Sequence, residues 1–316
     1  MIGGLRQRGS NVMRAFLLLL LSLVVAARAQ QDLVPADLLQ QANDWVNENI
    51  DDQVLDALGV DRDLTRKFLG DLQKQFQGTY VYDLGAMRDT ATRLQPILDQ
   101  YEETQPYAIW LKAHLDYFEV SQKLRDEVRP KGTNTTRLPP PSPLTERNVW
   151  QKTIAPRPVP PAAAKHLARL KHIFREERVP PELVWIAEVE SSFDARARSP
   201  AGAAGLFQLM PVTARDLDLS VGFFRDDRLD PEKSARATAR YLRRLHGRFN
   251  DWRLTFAAYN AGETRVAGLL KQEKARTFDE IAGRLPLETQ MYVPKVEATI
   301  RKREAVALRD LKMSGA

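Results

Sequence analysis

The stretch "VESSFDARARSPAGAAGLFQLMP", residues 189–211, sets a carboxylate at the end of an apolar run and follows it with a loop of small residues. Upstream, "PELVWIAEV" has apolar spacing that predicts a helix from Pro181 to Ser191, with proline favourable in its first turn. A helical step is about 100°, so Glu190 falls within about 40° of Leu183 and Ile186, on an otherwise apolar face. Its place in the last turn also meets the negative end of the helix dipole. Burial and dipole both disfavour the carboxylate and raise its pKa, as a proton donor working at neutral pH requires. Two other readings stay open. Glu190 pairs with Arg196 or Arg198, or Glu188, on the adjacent face near Val184 and Trp185, is the functional acid.

The loop after Glu190 has its own chemistry. Gly202 and Gly205 permit positive φ or close backbone approach. Ser199, Gln208 and exposed peptide groups offer hydrogen bonds to an uncharged polyhydroxyl ligand. A second element, "AAYNAGETRV" at residues 257–266, ends one helix at Tyr259, breaks at Asn260-Ala261-Gly262 and opens another. A tyrosine face beside an asparagine amide suits a sugar.

Around these elements the pattern is helical. Asp230-Pro231-Glu232 reads as a cap and helix start, and Gly247 as a stop. Ala235, Ala239, Leu242 and Leu245 form one apolar stripe, and Trp252, Phe256 and Tyr259 another. No sustained period-two alternation appears, so the fold class is all-α. Residues 129–163, with "RLPPPSPLTERNVW" and "APRPVPPAAA", read as an extended proline-rich linker with Trp150 pinned to a neighbouring surface. Residues 30–128 read as a helical N-terminal region, with helices at 36–50, 64–76 and 106–128. In the last of these Ile109, Leu111, Leu115, Phe118 and Leu124 form a core stripe. No chemistry is read there, and a packing, spacer or partner-binding role is expected.

The chain of 316 residues has a net charge of +6 and no cysteine. That excludes disulfides, thiolate metal sites and a cysteine nucleophile. The four histidines show no HExxH spacing, so no metal or other cofactor is expected. Residues 1–29, with arginines before the apolar run 15–27 and the small-x-small Ala27-Arg28-Ala29, read as a secretory signal, starting at Met1 or Met13, with an uncleaved N-terminal anchor as the alternative. Without a cysteine, the exported chain is not a lipoprotein, and a periplasmic or cell-envelope location follows. Residues 164–316 carry 28 basic and 21 acidic side chains, which favours an anionic partner such as a wall polymer or membrane surface.

Four blocks in order, "VESSF", "GLFQLMP", "AAYNAGETRV" and "LPLETQMYVPK" (285–295), resemble the lytic transglycosylase (SLT) domain of the goose-type lysozyme superfamily, in the pattern of the membrane-bound lytic murein transglycosylase D group. The resemblance implies a compact, lysozyme-like helical catalytic domain at 164–303, followed by a tail at 304–316. It implies a peptidoglycan lytic transglycosylase that cleaves the MurNAc-β-1,4-GlcNAc bond without water and leaves 1,6-anhydro-MurNAc ends. Glu190 is the implied single acid and then base. Ser199, Gln208, Met210, Tyr259, Asn260 and Tyr292 are the implied substrate-side residues, and Ser191 and Glu288 support them. The implied partner is the glycan strand and not nucleic acid. Further membrane or wall-protein contacts fall to residues 30–128. A goose-type hydrolase using the same acid and a non-catalytic wall-binding scaffold are the alternatives. Ala201 and Phe207 depart from the family pattern, where some relatives carry serine and many carry Met or Trp.

Overall fold

A computed structural model describes residues 105–129, 138–199 and 201–313, with a few positions between 84 and 95. The expectations for the signal at 1–29 and the helices at 36–50 and 64–76 lie outside the described residues. The chain divides into two compact units, residues 1–79 with 87–94, and residues 80–86 with 95–316. All the elements below belong to the second unit.

Among the described residues there is no β-strand, only three isolated bridges, and the all-α fold follows. The helices are α1 (Gln105–Val128), α2 (Pro143–Ile154), α3 (Ala163–Glu176), α4 (Ile186–Ser191), α5 (Pro211–Asp216), α6 (Pro231–Phe249), α7 (Trp252–Ala261), α8 (Glu263–Glu273), α9 (Phe278–Ile281) and α10 (Leu287–Glu304). No described helix is long and apolar enough to cross a membrane.

Local rules explain most boundaries. Asp230 accepts from the N–H groups of Glu232 and Lys233 and starts α6. The helix runs past the expected stop at Gly247 and ends where Asn250 turns left-handed, at φ 49°. Likewise α7 continues two residues beyond Tyr259 and ends at Gly262, at φ 94°. The expected helix from Pro181 is in two parts, a 3₁₀ turn over Pro181–Trp185 and then α4.

α10 is the central post. It packs on α7, α2 and α4, while α6 packs on α3 and α7. Pro294 predicts that Tyr292 stands near a segment end, yet α10 runs straight through it. A mid-helix proline costs roughly 3 kcal/mol. Here the helix is buried on most sides, from Leu287 through Ile300, and that packing outweighs the cost.

Residues 129–163 are not linker throughout. Pro143–Ile154 is a helix, capped by Ser142, with Trp150 fully buried. The proline at 143 occupies its first turn, where a missing N–H costs nothing, so the same prolines that suggest a linker start a helix. α1 packs on α2 and on α4. Lys295 of α10 donates to the Ala113 carbonyl (2.7 Å) and pairs with buried Asp116 (2.9 Å), which also holds Arg157 (2.8 Å). Residues 304–313 also contribute, since Leu308 and Leu311 are buried in the core.

The module therefore begins well before residue 164. Leu111, Phe118, Leu124, Val149, Trp150 and Ile154 are all buried on α1 and α2. At about 2 kcal/mol each this is on the order of 10 kcal/mol, as large as a domain's whole net stability. We expect a fragment of residues 80–316 to melt cooperatively and one of 164–316 to be insoluble or to lack a cooperative transition, as read by circular dichroism on heating.

Candidate active site

Glu190 sits at the C-terminal end of α4, and the way that helix ends fixes it. Ser192 and Phe193 both take left-handed conformations, at φ 53° and 64°. The strain is offset by the Phe193 ring, which is buried edge-on against Trp185 with centroids 5.6 Å apart. Ser191 donates to the Leu206 carbonyl at 2.8 Å and so fastens the helix end to the following loop.

That loop is folded on a buried arginine. The Arg228 guanidinium donates to the carbonyls of Gly202 (2.7 Å) and Leu209 (3.0 Å) and pairs with Asp226 (2.9 Å). Gly205 has φ +81°, and a Cβ there would stand 1.9 Å from the Arg228 carbonyl oxygen, so no other residue fits. The Gln208 amide donates to the carbonyls of Ala197 and Gly205, and its backbone is left-handed at φ 46°. The Ser199 hydroxyl accepts from the Ala203 N–H at 3.0 Å. No hydrogen bond joins Ser199 to Glu190 among the described residues. Met210 stands outward, 43% exposed.

The Tyr292 hydroxyl meets Glu190 Oε1 at 2.6 Å, across 102 residues of sequence. Burial pushes the Glu190 carboxyl up to about 8. The Tyr292 hydrogen bond pulls it down, the Glu288 charge adds to the rise and Lys295 opposes it. Burial, then the charge of Glu190, holds the Tyr292 phenol well above its ordinary range, so it remains a donor. Neither Arg196 nor Arg198 neutralises Glu190. Arg198 pairs instead with Asp226, at 3.2 Å. The rival acid is engaged elsewhere, because Arg303 grips Glu188 with two bonds of 2.8 and 2.6 Å.

Tyr259 donates to the Phe207 carbonyl at 2.6 Å and lies against Tyr241. Asn260 donates to Glu288 at 3.3 Å, and its carbonyl accepts from Thr289 at 2.6 Å. Glu288 stays ionised: burial pushes it up, but His114 and Asn260 outweigh that and leave it below the usual carboxylate range. A residue of the N-terminal region thus reaches the site, where sequence analysis reads no chemistry. Arg228 is also missed, and Lys295, though quoted, is given no role there. Among the described residues no group of three or more His, Cys, Asp or Glu could hold a metal ion. A cavity of about 880 Å³ lies elsewhere, lined among others by Arg147, Arg253 and Arg301, and does not include Glu190.

The arrangement can hold one carboxylic acid protonated at neutral pH beside one fixed carboxylate. Removing the phenol removes the bond that favours the charged form of Glu190. Tyr292→Phe should therefore raise the Glu190 pKa further, read by carbon NMR of the labelled carboxyl. An unchanged titration makes Tyr292 a packing residue only. The same logic gives a stability trend. A raised folded pKa stabilises the fold fully below the unfolded value near 4.5, and this is lost as pH rises towards about 8. Glu190→Gln should melt above the wild type at pH 9 and level with it at pH 4.

Comparison with known proteins covers the same segment. The transglycosylase SLT domain family model matches residues 170–282. Membrane-bound lytic murein transglycosylase D of Escherichia coli K12 is 42% identical over 127 residues, 39% of this chain and 28% of that protein. A putative tributyltin chloride resistance protein of Alteromonas sp. is 38% identical over 129 residues, covering 40% and 59%. Among solved structures, an inactive mutant of the lytic transglycosylase Slt from Pseudomonas aeruginosa aligns over 91% of this chain and 45% of its own, at 21% identity and a TM-score of 0.39. The chain spans less than two thirds of the length of these relatives. The matched residues include Glu190, Ser199, Gln208, Met210, Tyr259 and Asn260, whereas His114, Glu288 and Tyr292 lie outside them. The segment that carries Glu190 and the loop folded on Arg228 is the one that the transglycosylase SLT domain family model matches.

Proposed function

We propose that the chain is a peptidoglycan lytic transglycosylase, cutting the MurNAc-β-1,4-GlcNAc bond of glycan strands in the cell envelope and leaving 1,6-anhydro-MurNAc ends. The observation that carries the reading is the carboxyl of Glu190, inside an SLT domain, raised to about 8 by burial and held by Tyr292. At neutral pH it is an acid ready to donate.

Protonated Glu190 gives its proton to the glycosidic oxygen, and the GlcNAc side leaves as an alcohol. The positive charge at the anomeric carbon is met by the substrate's own N-acetyl oxygen. Glu190, now a carboxylate, removes the proton from the C6 hydroxyl, and that oxygen bonds to the anomeric carbon and closes the anhydro ring. One group thus serves both steps, where a two-carboxylate glycosidase divides them. Tyr292 holds Glu190 in one rotamer through both. Met210, Gln208, Ser199, Tyr259 and Asn260 form the sugar-facing side in this reading. Of these, Met210 is the side chain most open to contact.

The test is mass spectrometry of the muropeptides released from purified sacculi. Anhydro ends support the reading. Reducing ends make the protein a hydrolase, and no release leaves it a wall-binding scaffold. Glu190→Gln should keep the fold and lower turnover by at least about a thousandfold, while Glu188→Gln should act through stability. Because the acid must be protonated, the wild-type rate should fall about tenfold per pH unit above pH 8.

A further inference from the structure

α1 lies outside the SLT match, yet it carries His114 to the site. Its Nδ1 lies 2.7 Å from the Trp110 carbonyl oxygen. A carbonyl only accepts, so Nδ1 bears the proton. Nε2 then faces Glu288 Oε1 at 3.8 Å. Trp110 stacks on the ring with centroids 4.5 Å apart, and Tyr117 meets it edge-on at 4.8 Å. A neutral ring in this pose would turn a lone pair towards a carboxylate, whereas a protonated one presents an N–H.

The other groups around Glu288 are arranged in the same sense. Thr289 occupies the Asn260 carbonyl, so the amide must present its NH₂ to Glu288. Glu288 also stands in the first turn of α10, where the dipole favours an anion. Its charge acts on Glu190 and on Tyr117. The nearby cation Lys295 is already committed to Asp116 and the Ala113 carbonyl, and Arg157 to Asp116. His114 is therefore the basic side chain turned towards Glu288.

We propose that His114 is a positioning residue of the transglycosylase site, which fixes Glu288 as an anion whose charge acts on Glu190. This rests on the function proposed above. The site then divides its labour between an acid that is protonated at neutral pH and a neighbouring carboxylate that is ionised there. The anion depends on a helix beyond the SLT segment.

The experiment uses the full chain and two readouts, carbon NMR titration of the labelled Glu288 carboxyl and the pH–rate profile of product release. In His114→Gln, Glu288 loses the charge that offsets its burial. Its titration should move up by about one pH unit, and the acid limb of the rate profile should move up with it by the same amount, with KM little changed. His114→Arg, which restores a stacking cation, should bring both readouts back. An unmoved Glu288 titration in folded His114→Gln overturns the inference whatever the activity. So does a His114→Arg variant as shifted as His114→Gln, since the imidazole would then be filling space. A wild type that releases no product refutes the proposed function, while the NMR titration still decides the role of His114.

Discussion

A buried ammonium constrains the rest of the structure. Lys295 is almost fully enclosed in the middle of α10 and meets its needs with two oxygens of Asp116 and the carbonyl of Ala113, all on α1. A buried charge left without its partner costs about 3–5 kcal/mol, a large part of a domain's net stability. α10 therefore cannot be buried as it is unless α1 is docked. Because α10 also carries Glu288 and Tyr292, the docking that satisfies Lys295 brings the wall of the site along. Asp116 shows the same balance from the other side: burial raises its carboxyl, and Lys295 and Arg157 overcome that and hold it below the usual range.

Three glutamates close in sequence or space then meet different fates, each set by its neighbours. Glu188 is one turn from the end of α4 and is clamped by a nearly buried arginine. Glu288 is half-buried among donors and keeps its charge. Glu190 is half-buried, with a phenol as its hydrogen-bonding neighbour and an anion nearby, and it holds its proton at neutral pH. Environments that push neighbouring carboxyls apart in proton affinity are how one site obtains an acid and an anion at the same pH. Side-chain type alone does not distinguish the three.

This explains what could be read from the sequence. The apolar spacing before Glu190, the glycines after it and the tyrosine-asparagine junction are local signals, and their local consequences are present in the fold: φ +86° at Gly202, φ +81° at Gly205 and a helix break at Gly262. Choosing between Glu188 and Glu190 needs Arg303, more than a hundred residues away, and no periodicity contains it. The proline-rich stretch misleads because proline has two meanings, a stop inside a helix and a favourable start at its first turn, and 143 is the second kind. His114 and Asp116 sit in an amphipathic helix where a polar residue ordinarily faces water. Their work depends on a partner helix whose approach is a tertiary fact. Pro294 fails as a breaker for the same reason, since burial outweighs local preference.

The contact at Gly205 also limits how such a site can change. Its α-carbon is seated directly on the backbone of residue 228, so the floor of the loop is made of peptide groups and has no side chain to exchange. Arg228, bonded to the carbonyls on either side, is equally committed. Change is tolerated instead at exposed side chains. Met210, Val212 and the fully outward Phe223 and Phe224 are exposed and can be replaced without disturbing the frame. Side chains at the surface can thus drift while the floor of the loop stays fixed.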